Sequence, residues 1–148
     1  MQTDIGAAPD VVWSLISDVT RMGEWSPEAT GGAWKGEATG PAVGARFAGK
    51  NTRGKRTWST ACEVIAADPG ARFAFAVKSG PLSVATWDYT VTPTADGCHV
   101  CETWTDDRGV IIKALGKLVT GVGDRETHNR AGMAQTLDAL AAAAEQPA

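Results

Sequence analysis

The sequence predicts an α+β fold: a seven-stranded antiparallel sheet covered on one face by a long C-terminal helix, with two short helices between the first and second strands. Three observations carry this. From Arg125 to Ala144, Met133, Leu137, Leu140 and Ala144 recur at three- and four-residue spacing, which puts them on one side of a helix, and the Ala-rich tail favours that conformation intrinsically. Beyond Glu28 the apolar period is two, and it stays so to Thr105, punctuated by Gly, Pro and Asp. Those punctuations are short, and strands joined by short turns pair antiparallel, because parallel neighbours need crossovers of about a dozen residues or more.

In chain order, Gln2 to Ile5 makes a short first strand. Pro9 suits the first turn of a helix whose apolar face is Val11, Val12, Leu15, Ile16 and Val19, leaving Asp10 and Trp13 on the surface. A second helical turn runs through Arg21, Met22, Glu24 and Trp25 and ends at Ser26-Pro27, since the residue before a proline avoids the α region. Strands are then expected over Ala33 to Gly36, Val43 to Asn51, Thr57 to Ala66, Arg72 to Lys78, Ser83 to Thr92 and Cys98 to Thr105. Trp58, Cys62 and Val64 share one face. So do Phe73, Phe75 and Val77, and so do Ala85, Trp87, Tyr89 and Val91, opposite Thr86, Asp88, Thr90 and Thr92. A sheet with one apolar and one polar face is covered on one side only. Between sheet and terminal helix, Val110 to Val122 carries Ile111, Leu115, Leu118 and Val119 but is interrupted by Gly109, Gly116, Gly121 and Gly123, and reads as a short, mobile apolar segment able to act as a flap.

A chain of 148 residues with 43% hydrophobic and 21% charged residues fits one soluble domain over its full length, 1–148. The N-terminus has no basic start or apolar run, and no window approaches the roughly 18 apolar residues of a membrane span, so a cytoplasmic protein without stable membrane insertion is expected. A net charge of −3 argues against nucleic acid as a partner. The basic cluster Lys50, Arg53, Lys55 and Arg56 flanks Gly54, either as a solvated hairpin tip or as an anion-recognising one. Cys62, Cys98 and Cys101 are too few for a disulfide framework, and a reducing compartment is consistent with that. Cys98 and Cys101, three apart on a strand, point to opposite faces, so no metal site is expected even with His128 in reach. Neither His99 nor His128 has a nucleophile motif beside it, and Gly121-Val122-Gly123 lacks the third glycine of a nucleotide loop; no cofactor is expected.

The element order, with Ala7-Ala8-Pro9-Asp10-Val11-Val12-Trp13, Ile16-Ser17-Asp18, Trp25-Ser26-Pro27-Glu28, Val43-Gly44-Ala45-Arg46-Phe47, Gly49, Asn51, Trp58, Trp87, Tyr89, Val100 and Glu102, resembles the polyketide cyclase/dehydrase branch of the START-like (SRPBCC, helix-grip, Bet v 1-type) superfamily. The resemblance covers nearly the whole chain. It implies a curved sheet wrapped around the terminal helix with a cavity between them, whose mouth lies near the Lys50 to Arg56 turn, the Ser79 to Leu82 turn and the segment before the helix. Members of the superfamily bind lipids, polyketides, hormones or aromatic compounds, and a subset cyclises or dehydrates them.

Candidate site residues follow from the faces. Glu102 alternates in phase with Val100 and Trp104, so if those face inward a carboxylate goes with them and must pair, reach water or hold its proton; in the reversed phase Cys101, Thr103 and Thr105 turn inward and Glu102 is solvated. Extending the terminal-helix stripe back from Met133 brings up Arg130, Asn129 and Glu126, and Arg130 or Asn129 is the expected partner of Glu102. Of six tryptophans, Trp58 and Trp104 are favoured as cavity walls and Trp13 and Trp87 as core filling, with Trp87 and Phe75 also on the side of their strands that a guest would meet. Asn51 shares a phase with Phe47 and falls at the rim. The expected function is binding of a hydrophobic small molecule, a lipid, polyketide or aromatic compound. The alternatives are an aromatase/cyclase-type enzyme with Glu102 as acid/base, and a protein-interaction module.

Overall fold

The computed structural model describes residues 1–146. Its elements are β1 (Gln2–Ile5), α1 (Pro9–Ser17), a 3₁₀ turn (Val19–Glu24), β2 (Ala29–Trp34), β3 (Arg46–Arg53), β4 (Arg56–Asp68), β5 (Arg72–Ser79), β6 (Leu82–Thr94), β7 (Gly97–Asp106), α2 (Val110–Thr120) and α3 (Arg125–Ala144). All seven strands form one antiparallel sheet in the order β1-β7-β6-β5-β4-β3-β2. Apart from β1 at the edge beside β7, every strand lies next to its chain neighbour, as the short turns require. This is the α+β helix-grip arrangement expected.

Curvature has a local cause. Register shifts fall between Val64 and Ala66 on β4 and between Val77 and Lys78 on β5, where the partner strand β6 skips Val84. An unpaired residue on one strand bends it and increases its twist, so bulges in the middle of the sheet fold it around α3. The concave face and α3 then bury Phe47, Cys62, Val64, Phe73, Phe75, Tyr89, Val91, Val100, Leu137 and Leu140, joined by Val12 and Ile16 from α1.

Four expectations are corrected. The second strand lies at Ala29–Trp34 rather than Ala33 to Gly36. Gly31 and Gly32 hide it from a propensity reading, and packing explains at least one of them: a Cβ on Gly32 would stand 2.6 Å from the carbonyl oxygen of Val19, so only glycine lets the 3₁₀ turn lie this close to β2. Trp13 is half-buried rather than on the surface, its indole N–H donating to the Arg72 carbonyl at 2.9 Å. Val11, expected on the apolar face, is instead 46% exposed. The Val110 to Val122 stretch is an ordered helix through Thr120, not an irregular segment. Its glycines punctuate rather than break it: Gly109 is the N-cap, and Gly121, at φ 73°, ends the helix with its N–H bonded to the Lys117 carbonyl at 2.8 Å. Among the described residues no helix is long and apolar enough to cross a membrane.

Candidate ligand-binding site

Between the concave face and α3 lies a cavity of about 450 Å³. Its walls are aromatic. Trp58 from β4, Phe75 from β5, Trp87 from β6 and Trp104 from β7 line it, with Phe47 from β3 and Trp25 after the 3₁₀ turn. The rings brace one another: Phe47 and Phe75 meet edge to face at 5.2 Å between centroids, and Trp87 and Trp104 lie tilted at 6.4 Å. Asn51, Asn129 and Met133 complete the part of the lining read from the sequence.

Glu102 points inward and is only 1% exposed. Its cross-strand neighbour is Tyr89, and the Tyr89 hydroxyl donates to Glu102 Oε1 at 2.6 Å. Oε2 is buried with no hydrogen-bond partner and belongs to a residue that lines the cavity. Burial pushes the carboxyl up to about 7, and the Tyr89 hydrogen bond offsets only part of that displacement. The Tyr89 hydroxyl is itself driven up, first by burial and then by the charge of Glu102. The expected helix partners, Arg130 and Asn129, do not reach Glu102: Arg130 faces solvent, and the carboxylate's bond is to the adjacent strand.

Glu126 and Arg130 are corrected more broadly. Both are exposed, pair with each other at 3.6 Å one turn apart and stand outside the cavity. The stripe Met133, Leu137, Leu140 and Ala144 includes two buried residues, Leu137 and Leu140, and the buried face extends from it to one side through Asn129 and Thr136. At 3.6 residues per turn Asn129 and Thr136 lie roughly 50–70° to one side of the middle of that stripe. Arg125 and His128 come round to the cavity in their place.

These two build a cluster that the sequence reading missed. Arg125 Nη1 donates to Glu28 Oε1 and Oε2 at 2.8 and 3.0 Å, and His128 Nε2 lies 2.6 Å from Glu28 Oε2. The Arg125 guanidinium also sits 5.8 Å from the centre of the Trp58 ring. Glu28 thus ties the start of α3 to the segment leading into β2. The available signal was a helical one: Arg125 and His128 are three apart, so they share a side, and Glu28 closes the Trp25-Ser26-Pro27-Glu28 motif. A further lining residue, Arg108, is held by Asp106 at 2.8 and 2.9 Å, which depresses that carboxyl to about 2. From α2, Ile112, Leu115, Gly116, Val119 and Thr120 close one side of the cavity. Cys62 and Cys98 are buried and free, and burial raises the Cys62 thiol to about 11, far from a reactive thiolate.

The family described as polyketide cyclase / dehydrase and lipid transport matches residues 1–145. The chain belongs to this family. Among solved structures it is similar to the Polyketide_cyc-like protein Cgl2372 of Corynebacterium glutamicum, at 31% identity over 98% of this chain and 87% of that one, with a TM-score of 0.60. It also shares its fold with the major latex-like protein 151 of Panax ginseng, at 15% identity over 99% and 95% of the two chains and a TM-score of 0.74. The di-domain ARO/CYC StfQ of the steffimycin biosynthetic pathway matches at 17% identity over 98% of this chain and 49% of that one, with a TM-score of 0.71. No curated protein sequence matches the chain significantly. Family membership and fold together support hydrophobic-ligand binding or polyketide cyclase chemistry in general terms.

Proposed function

We infer that the protein binds a hydrophobic small molecule, a lipid, polyketide or aromatic compound, in the cavity between sheet and α3. One observation carries the reading: a cavity of about 450 Å³ that is walled by braced aromatic rings and holds one buried carboxylate oxygen with no partner. Small-molecule sites are typically about 300–1,000 Å³, mostly apolar, with a few convergent polar groups. Trp58, Phe75, Trp87, Trp104 and Met133 supply contact area, while Asn51, Asn129 and Glu102 orient the guest. Ionised, Glu102 Oε2 accepts from a hydroxyl or other donor of the guest; protonated, it donates to a carbonyl. Either bond satisfies a group that is otherwise costly to bury.

A second reading has its own support. A carboxyl that titrates at about 7 exchanges its proton near neutrality, which suits the acid/base step of an aromatase/cyclase-type reaction on a guest held in one conformer. Native mass spectrometry of the purified protein, followed by titration with hydrophobic aromatic probes under tryptophan fluorescence, tests binding. Saturable quenching is expected, and Glu102→Gln weakens a hydroxyl-bearing probe by about 10- to 100-fold, the worth of a charge-assisted hydrogen bond. A protein that emerges empty and shows no quenching with any such probe overturns the reading. Turnover of a polyketide chain that Glu102→Gln abolishes while binding persists would assign the acid/base role.

A further inference from the structure

α2 is mounted with its apolar face outward. Ile112, Gly116 and Thr120, spaced by four, turn toward the body of the protein, where Thr120 is buried and Ile112 and Gly116 half-buried. The opposite side carries Val110 at 85% exposure, Leu118 at 74% and Leu115 at 57%, with Val119 at 50% on its margin. An amphipathic helix of a globular protein normally does the reverse. Here a ridge of large aliphatic side chains stands in water beside the cavity it helps to close, since Leu115 and Val119 belong to both surfaces.

Charge at this end departs from the rest of the chain. The protein carries a net charge of −3, yet the segments 44–62 and 108–123 contain no Asp or Glu. The tip of the β3–β4 hairpin, with Arg53, Lys55 and Arg56, lies against the C-terminal end of α2: Arg53 Nη1 donates to the Gly121 carbonyl at 3.4 Å, and Arg56 lies against Gly121. Lys113 and Lys117 flank the aliphatic ridge on α2 itself. Lys113 approaches Asp106 at 3.6 Å, but Arg108 occupies that carboxylate at 2.8 Å. Cations from two elements therefore surround one convex apolar ridge.

We propose that the exposed face of α2 and the β3–β4 hairpin tip form a docking surface for an anionic lipid bilayer. Val110, Leu115 and Leu118 enter the boundary between headgroups and acyl chains, and Lys113, Lys117 and the hairpin cations meet the lipid phosphates. An aliphatic ridge fringed by cations matches the acyl chains and phosphates of a fluid anionic surface, which moulds around it. At eleven residues the helix lies on the membrane and does not span it. The docked orientation presents one wall of the cavity to the bilayer. Leu115 is shared with the cavity but Leu118, Lys55 and Lys117 are not, so failure of the surface and failure of ligand binding are separable.

Sedimentation with vesicles of phosphatidylcholine, with and without phosphatidylglycerol, tests this on the full chain. Wild-type protein is expected to pellet with the anionic vesicles, to be released by high salt and to remain in solution with the neutral ones. Leu118→Glu, and separately the double variant Lys55→Glu/Lys117→Glu, are each expected to weaken partitioning at least about tenfold. None of these side chains lines the cavity, so quenching by a soluble aromatic probe stays unchanged and reports an intact fold. Wild-type protein left in the supernatant with both vesicles, or a Leu118→Glu protein that pellets like wild type, overturns the proposal. A dimer in analytical ultracentrifugation that Leu118→Glu splits, without vesicle binding, would assign the face to a second copy of the chain. Saturable capture by an acidic protein in place of vesicles would assign it to that partner class.

Discussion

Replacing Glu102 by glutamine isolates the cost of burying a carboxylate in this cavity. The variant keeps the shape of the side chain and an oxygen that can accept the Tyr89 hydroxyl, which lies 2.6 Å from Oε1. What it removes is the titration. In the folded chain the carboxyl holds its proton up to about 7, whereas unfolded it ionises near its ordinary 4.5. Between those values the folded carboxyl binds more proton than the unfolded one, so this residue's contribution to stability is highest below about 4.5 and declines as pH rises toward about 7. With about 1.4 kcal/mol for each tenfold in proton affinity, the decline attributable to this residue is about 3 kcal/mol. For a chain of this size that is roughly 6–12 °C in Tm. The amide introduced by Glu102→Gln brings its own unsatisfied donors, but that cost does not change with pH. Thermal or urea unfolding of the two proteins across this interval therefore gives a difference that grows by about 3 kcal/mol in favour of the variant and then levels off. Parallel stability curves would refute the reasoning, because they would mean that the carboxyl reaches water and is not desolvated.

Three further outcomes test the scaffold. Leu137→Ala, at a position 2% exposed under the sheet, is expected to cost about 2–5 kcal/mol in urea unfolding with an unchanged m value. Gly32→Ala places a methyl group 2.6 Å from the Val19 carbonyl oxygen, and the resulting displacement of the 3₁₀ turn is expected to lower stability by about 1–3 kcal/mol; a neutral result would mean that the turn does not rest on β2 as described. Asp124 accepts the Thr127 N–H at 3.1 Å as the N-cap of α3, so Asp124→Ala is expected to lower the thermal midpoint, and Asp124→Asn to recover most of the loss.

The order of the elements, the pairing of chain neighbours and the residues that share the apolar face of β4, β5 and β6 were legible in the residues, because a period of two and a set of short turns are properties of contiguous sequence. Glu102 was legible in part: alternation put it on one side with Val100 and Trp104, but which side faced inward stayed open until the sheet was packed. That a carboxylate so placed must hold its proton or find a partner follows from its chemistry alone. Its partner was not legible. Tyr89 meets Glu102 through the β6–β7 register, a relation between two strands that neither strand's own sequence contains.

The same limit applies to the two helices that frame the cavity. An apolar stripe states that α3 has a buried side, yet its rotation against the sheet is set by the packing of Asn129, Thr136 and Leu140. Only the folded chain shows that Glu126 and Arg130 stand in water while Arg125 and His128 meet Glu28. α2 shows the limit in its strongest form. Its sequence reads as a short, mobile apolar segment, whereas the folded chain makes it a helix that turns Ile112, Gly116 and Thr120 inward and leaves Val110 and Leu118 in solvent. Side-chain periodicity belongs to the chain and fixes which residues share a face. Where that face points depends on contacts between segments far apart in sequence, and only the assembled sheet and helices decide it.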